Sequence, residues 1–205
     1  MSPVPTGLDP ARIEARIRAY EGFGIHRTGW PGDDRTTEWL VAELRAAGVA
    51  AEPERFPFPR VEVQRARLTW SDGSVDGEPM YDGGFTRIGG VTGDLGEDDD
   101  SEPFGKVLIA TSALKGDRRW VAPDARAHYS GFQQEGVLGI AVPTGDPEGE
   151  IVLRNAEHIR QPFNLPVLQV ATKEARRLTA ALLLGGEATI EIDGARLNSR
   201  ATNVV

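Results

Sequence analysis

Three short runs are almost wholly apolar at consecutive positions: Lys106-Val107-Leu108-Ile109-Ala110, Gly136-Val137-Leu138-Gly139-Ile140-Ala141-Val142 and Val167-Leu168-Gln169-Val170. A strand turns successive side chains to opposite faces, so a run without polar alternation must lose water on both. The chain between and after them supplies the covers. Asp124 to Glu135 reads as a helix weakened by Ser130-Gly131, and Thr172 is expected to cap a clearer one through Leu178 and Leu182 to Gly185-Gly186. Buried strands alternating with helices predict an α/β fold, mixed with α+β features. The length of 205 residues allows one large domain or one domain with an appendage.

Either side of this region the pattern differs. Asp9-Pro10 opens a helix that carries Ile13, Ile17 and Tyr20 at helical spacing. Asp33 or Asp34 is expected to cap a second helix with Leu40, Leu44 and Ala47 as its buried stripe, Trp39 and Val41 beside it, and Gly48 as its stop. Val49 to Phe56 then reads as a strand closed by Pro57 and Pro59, and Pro143 is expected to end the second buried strand. Ser71-Asp72-Gly73-Ser74 is a turn, and 77–105 is glycine-rich and open. Ala188 to Ile192 alternates as a strand with a turn at Asp193-Gly194, and Ala201 to Val205 forms a last strand.

Composition excludes several functions. There is no cysteine, which removes disulfides, thiolate catalysis and Cys-ligated zinc. The net charge of −8 argues against nucleic acid as the main partner. Residues 56–105 hold 11 acids and 4 bases, net −7, so this block owns nearly all of the excess. Its densest part, Asp94 to Glu102, has six acids and no base. It lacks the alternating order of a calcium loop and reads as a solvated, mobile one. No apolar run reaches the roughly 18 residues of a membrane span, and no signal peptide is visible, so a cytoplasmic setting is expected.

Catalytic chemistry finds little to use. His26, His128 and His158 stand apart, with neither a second histidine nor an aspartate two positions on. There is no Gly-x-Ser-x-Gly and no phosphate loop. The candidate binding surface is Arg118, Arg119, Trp120, His128 and Tyr129, because aromatics interleaved with arginines make binding anchors.

The order of elements from Gly105 to Gly194 resembles the protease-associated (PA) domain. The opening His26-Arg27-Thr28-Gly29 through Trp39-Leu40 to Gly48-Val49 is similar to the N-terminal helices of metallopeptidase family 28, the two-zinc aminopeptidases. The closing Arg200-Ala201-Thr202-Asn203-Val204-Val205 resembles the strand before their first metal ligand. The resemblance implies N-terminal helices and a scaffold strand in 1–55, an inserted PA-like domain in 56–195, and a second scaffold strand in 196–205. It implies zinc held by a His-x-Asp segment, a bridging Asp, an acidic pair, a further carboxylate and a late His. This chain has no His-x-Asp, Glu-Glu or Asp-Glu. No catalytic or metal residue carries over, and zinc is expected only in a missing catalytic half. The expected role is a non-catalytic N-terminal portion that covers the active-site cleft and aids substrate selection, partnered by the catalytic half or a peptide or protein substrate. The alternatives are a stand-alone protein- or peptide-binding PA-like module, and a small metal-independent enzyme. The two terminal scaffold strands are expected to pair and to leave an open edge, through which the chain could form a homodimer.

Overall fold

The computed structural model describes residues 9–121, 125–145, 149–155 and 161–205. The fold is mixed α/β. Its strands are β1 (Pro53–Trp70), β2 (Gly73–Asp76), β3 (Glu78–Pro79), β4 (Val91–Glu97), β5 (Lys106–Ile109), β6 (Gly139–Thr144), β7 (Val167–Ala171) and β8 (Glu187–Val204). The helices are α1 (Pro10–Glu21), α2 (Pro31–Ala46), α3 (Thr111–Leu114), α4 (Ala125–Gln134) and α5 (Ala175–Leu184). One sheet runs in the order β2-β1-β8-β4-β5-β6-β7-β3. The pairs β4–β5, β5–β6 and β6–β7 are parallel, and β1–β2, β4–β8 and β3–β7 are antiparallel. The chain divides into two compact units, 61–195 and 1–60 together with 196–205.

In the larger unit, β5, β6 and β7 feed two cores. Val107, Ile109, Ala141, Leu168 and Val170 join Leu178 and Ala181 of α5, with Ile190 and Ile192 of β8. Leu108, Ile140, Val142 and Val167 join Trp120 and the α4 residues Ala125, Tyr129 and Phe132. Adjacent strand residues thus part to opposite faces, which is the physical content of the unbroken apolar runs. The register sets Leu108 beside Ile140 and Ala141 beside Leu168, so like faces align across the three strands.

Several boundaries differ from the sequence reading. Pro143 lies inside β6. Ala141 accepts from the Ala110 N–H at 2.9 Å, so Pro143, two residues on, turns toward a side where β5 has already ended at Ile109. The missing N–H costs no ladder bond there. Asp193-Gly194 makes no turn, because β8 runs on to Val204. Gly194 is needed for closeness: a Cβ there would stand 2.7 Å from the Glu62 carbonyl oxygen and 3.2 Å from the Phe85 ring. Thr172 does not cap α5. It starts a short 3-10 turn, Thr172–Glu174, and its hydroxyl donates to the Gly145 carbonyl at 3.3 Å. Gly185, at φ 68, ends α5. The acidic run is not a free loop. Asp94 to Glu97 belong to β4, paired with Lys106 to Ile109, and the Asp98 N–H donates to the Ile109 carbonyl at 3.2 Å.

In the smaller unit, Asp9 caps α1 by accepting the Ala11 N–H at 3.0 Å. Its apolar stripe, however, stays in water: Ile13, Ile17 and Tyr20 are 43%, 53% and 41% exposed. Trp30, not Asp33 or Asp34, is the N-cap of α2, since Pro31 takes the first helical position. Asp33 reaches back and accepts the Gly29 N–H at 2.9 Å. The buried residues of α2 are Gly32, Thr37 and Val41, while Leu40 and Ala47 are exposed. Gly48, at φ 78, follows its end. β1 starts at Pro53 and does not close at Pro57 or Pro59. Glu52 and Val205 exchange both backbone hydrogen bonds, at 2.7 and 2.9 Å, which sets the start of β1 against the end of β8.

Leu168 is fully buried between the strands and α5. Leu168→Ala is expected to lower unfolding stability by about 2–5 kcal/mol in urea titration, with the native circular dichroism spectrum retained.

Candidate functional site

The sequence around Trp120 folds as a linked polar and aromatic unit. β5 runs into α3, a 3-10 turn follows at Arg118–Trp120, and α4 comes next. Ser112 at the start of α3 ties this segment to the acidic turn after β4. Its N–H donates to Asp98 Oδ1 at 3.1 Å, its hydroxyl donates to Asp98 Oδ2, and Ser112 Oγ accepts the Trp120 Nε1–H at 2.8 Å. The Thr111 hydroxyl faces Glu97 Oε2 at 2.8 Å and Asp98 Oδ1 at 3.2 Å.

Trp120 is the hub of the rings. It is 1% exposed, stacks parallel to Phe132 at 5.7 Å, and meets His128 at 4.4 Å and Tyr129 at 5.5 Å edge to face. Tyr129 is fully buried, stacks on Phe163 at 5.3 Å, and donates its hydroxyl to the Trp120 carbonyl at 3.1 Å. Burial pushes the Tyr129 phenol far above its usual range, with the Asp82 carboxylate adding to the shift. Tyr129 is therefore a neutral donor, not a base.

Above the rings is a surface recess of about 400 Å³. Asp98, Asp99 and Asp100 line it together with Arg119, Glu135 and the α4 residues Ala127, His128, Gly131 and Phe132. Besides Asp98, two more of the charges are engaged with neighbours. Asp100 meets Lys106 Nζ at 2.6 Å and accepts the Glu102 N–H at 3.0 Å, and the Lys106 bond leads in holding its carboxyl below the usual range. Arg119 meets Asp117 at 2.6 and 2.9 Å. That side-chain bond, with the Arg119 N–H second, lowers the Asp117 carboxyl to about 2.

The structure thus brings Arg119 and His128 to the recess and leaves Arg118 exposed nearby, while Trp120 and Tyr129 form the core beneath. The carboxylates of Asp98 to Asp100 and Glu135 were not linked to this site by sequence reasoning. The acidic run was visible as composition, but its docking onto Ser112 depends on β4–β5 pairing that its glycines conceal. His26 lies in the other unit, stacked on Tyr20 at 3.9 Å with Nδ1 2.9 Å from the Thr36 hydroxyl. His158 lies outside the described residues. Among the described residues no group of three or more His, Asp or Glu side chains is placed to hold a metal. The Ser112 hydroxyl is committed to Asp98 and Trp120, with no imidazole bonded to it among these contacts. The recess presents charged side chains of both signs and the rings of His128 and Phe132.

No family model and no curated protein matches the chain. Solved structures do. A zinc aminopeptidase from Bacillus subtilis superposes with TM-score 0.68 at 15% identity, over 90% of this chain and 43% of its own. A peptidase M28 precursor from Shewanella amazonensis gives 0.63 at 14%, over 90% and 48%. An aminopeptidase from Aneurinibacillus sp. strain AM-1 gives 0.62 at 13%, over 96% and 47%. The likeness is one of fold. This chain spans less than half the length of these three proteins.

The Ser112 link has a measurable weight. Ser112→Ala leaves the buried Trp120 N–H without its acceptor, and a loss of about 1–3 kcal/mol is expected in urea unfolding. The loss and that of Trp120→Phe should be non-additive in a double-mutant cycle.

Asp117 gives a pH test. Its folded pKa lies below the unfolded one, so its contribution is present above the usual carboxylate range and is lost as pH falls through about 2. An NMR titration of its side-chain carboxyl is expected to show that midpoint. Arg119→Ala should return it toward the usual range.

Proposed function

We propose that this chain is the non-catalytic N-terminal portion of an M28-type zinc aminopeptidase, including an inserted PA-like domain, and that it covers the active-site cleft and aids substrate selection. The observation that carries this reading is the coverage: the likeness takes in 90% or more of this chain but only 43% to 48% of the matched chains. The described residues do not fit a zinc site. His26 is held by Tyr20 and Thr36, His128 is packed among Trp120 and Phe132, and no triad of ligating side chains converges. In this reading zinc belongs to the complementary half, which is also the partner, and residues 56–195 are the PA-like insertion between 1–55 and 196–205. Substrate contacts fall to the recess, with Arg119 and His128 in its lining and Arg118 exposed nearby. In this reading the setting is cytoplasmic. No helix among the described residues is long and apolar enough to cross a membrane.

The same recess supports a second reading, a stand-alone module that binds a peptide or protein through these residues. Two measurements decide. The nucleotide sequence past the Val205 codon is expected to encode a His-x-Asp segment and an acidic pair. A stop codon there, with no complementing gene, would favour the module. The chain alone is expected to release no p-nitroaniline from leucine p-nitroanilide with zinc added, and zinc-dependent turnover would overturn the non-catalytic reading.

A further inference from the structure

We propose that the recess beside α4 is a pocket for the arginine side chain of a peptide or protein substrate, an assignment that rests on the reading of this recess as the place of substrate contact. All the residues that line it fall between Asp98 and Glu135, within the unit 61–195. Charge, unengaged carboxylates and a gap left in α4 select this occupant together.

Negative charge at the recess is only partly cancelled. Asp98, Asp99, Asp100 and Glu135 line it against Arg119. Arg119 is itself held by Asp117, and Asp100 by Lys106, both at 2.6 Å. These five carboxylates and two cations leave a net charge of −3. The bonds to Asp98 come from hydroxyl and N–H groups of Thr111 and Ser112, which carry no charge. Asp99 and Glu135 have no side-chain hydrogen bond or ion pair among the described residues. A cation placed among these carboxylates gains attraction from each of them and relieves their mutual repulsion. A metal ion is the poorer occupant, because among the described residues no three His, Asp or Glu side chains are placed to hold one.

Space comes from α4. Ala127, Gly131 and Glu135 follow at intervals of four, so they lie along one stripe of the helix. Gly131 stands inside α4, where glycine is less favourable than alanine. Packing does not account for it: a Cβ there would meet nothing within 4 Å, and the residue has no positive φ that would demand glycine. The missing side chain instead leaves room in a recess of about 400 Å³, which is within the range of small-ligand pockets. The methylenes of an arginine can lie along Ala127, Gly131 and the edge of Phe132, with the charged head among the carboxylates. Arginine suits the site better than lysine. Its planar fork of N–H donors can meet two carboxylates at once, and it gives up its hydration more readily than an ammonium.

The probe is the acetylated and amidated peptide Gly-Ala-Arg-Ala-Gly, and the readout is an amide NMR titration. Counterpart peptides carry citrulline, lysine or glutamate in place of the arginine. The arginine peptide is expected to shift the Asp99, Gly131 and Glu135 amides saturably. The citrulline peptide, which keeps the shape and loses the charge, and the lysine peptide are expected to bind at least about five-fold more weakly. Gly131→Ala should raise the melting temperature by about 2–4 °C and yet weaken the arginine peptide about ten-fold. Glu135→Gln should weaken it about five-fold with the melting temperature unchanged, which decides the matter even if the alanine variant does not gain stability. Equal binding of the citrulline or lysine peptide, or undiminished binding by both variants, overturns the proposal. If the glutamate peptide shifts these amides and the arginine peptide does not, the recess still contacts substrate and the arginine pocket alone fails. If no peptide shifts them, the reading of the recess as the place of substrate contact fails with it.

Discussion

Two-sided burial of β5, β6 and β7 is the constraint from which most of the larger unit follows. A strand with apolar residues at every position cannot keep either face in water. Each of these strands therefore needs a cover above and below, and α5 and the Trp120–α4 segment are those covers. Parallel pairing follows as well, because each return to the sheet must pass through a covering segment. The acidic turn after β4 is fixed by the same arrangement. It lies against the start of α3, where Ser112 and Thr111 hold Asp98.

The buried strands and the α5 helix were legible in the sequence because their signal is local and strong. Boundaries were less so, for one recurring reason. Proline and glycine were read as punctuation, yet their effect depends on what lies alongside. Pro143 faces a side that β5 has vacated, and Gly194 sits where another backbone comes close. Neither circumstance has a trace in the flanking residues. The same holds for β4, whose Gly93 and Gly96 hide a strand that pairs on both sides.

The candidate site was half legible. Trp120, His128 and Tyr129 do gather, and the helical spacing of 125–134 brings His128 and Phe132 to one side of α4. Depth is what the sequence does not carry: hydrogen bonds to Ser112 Oγ and the Trp120 carbonyl allow Trp120 and Tyr129 to be buried with their polar atoms satisfied. The acidic wall could not be foreseen, since the partner that positions Asp98 lies 14 residues away across a parallel strand pair.

The uncovered stripe of α1 has a consequence for how the protein opens. A helix of 12 residues is marginal in water by itself, and α1 has no buried residue. What ties it to α2 includes the Arg16–Glu43 pair at 2.6 Å, with side chains 44% and 37% exposed. Such pairs contribute little, and salt screens them. α1 therefore belongs to the low end of the local-unfolding ladder. It can detach while the sheet stays intact, so proteases would reach the backbone around Arg12, Arg16 and Arg18 in an otherwise native molecule.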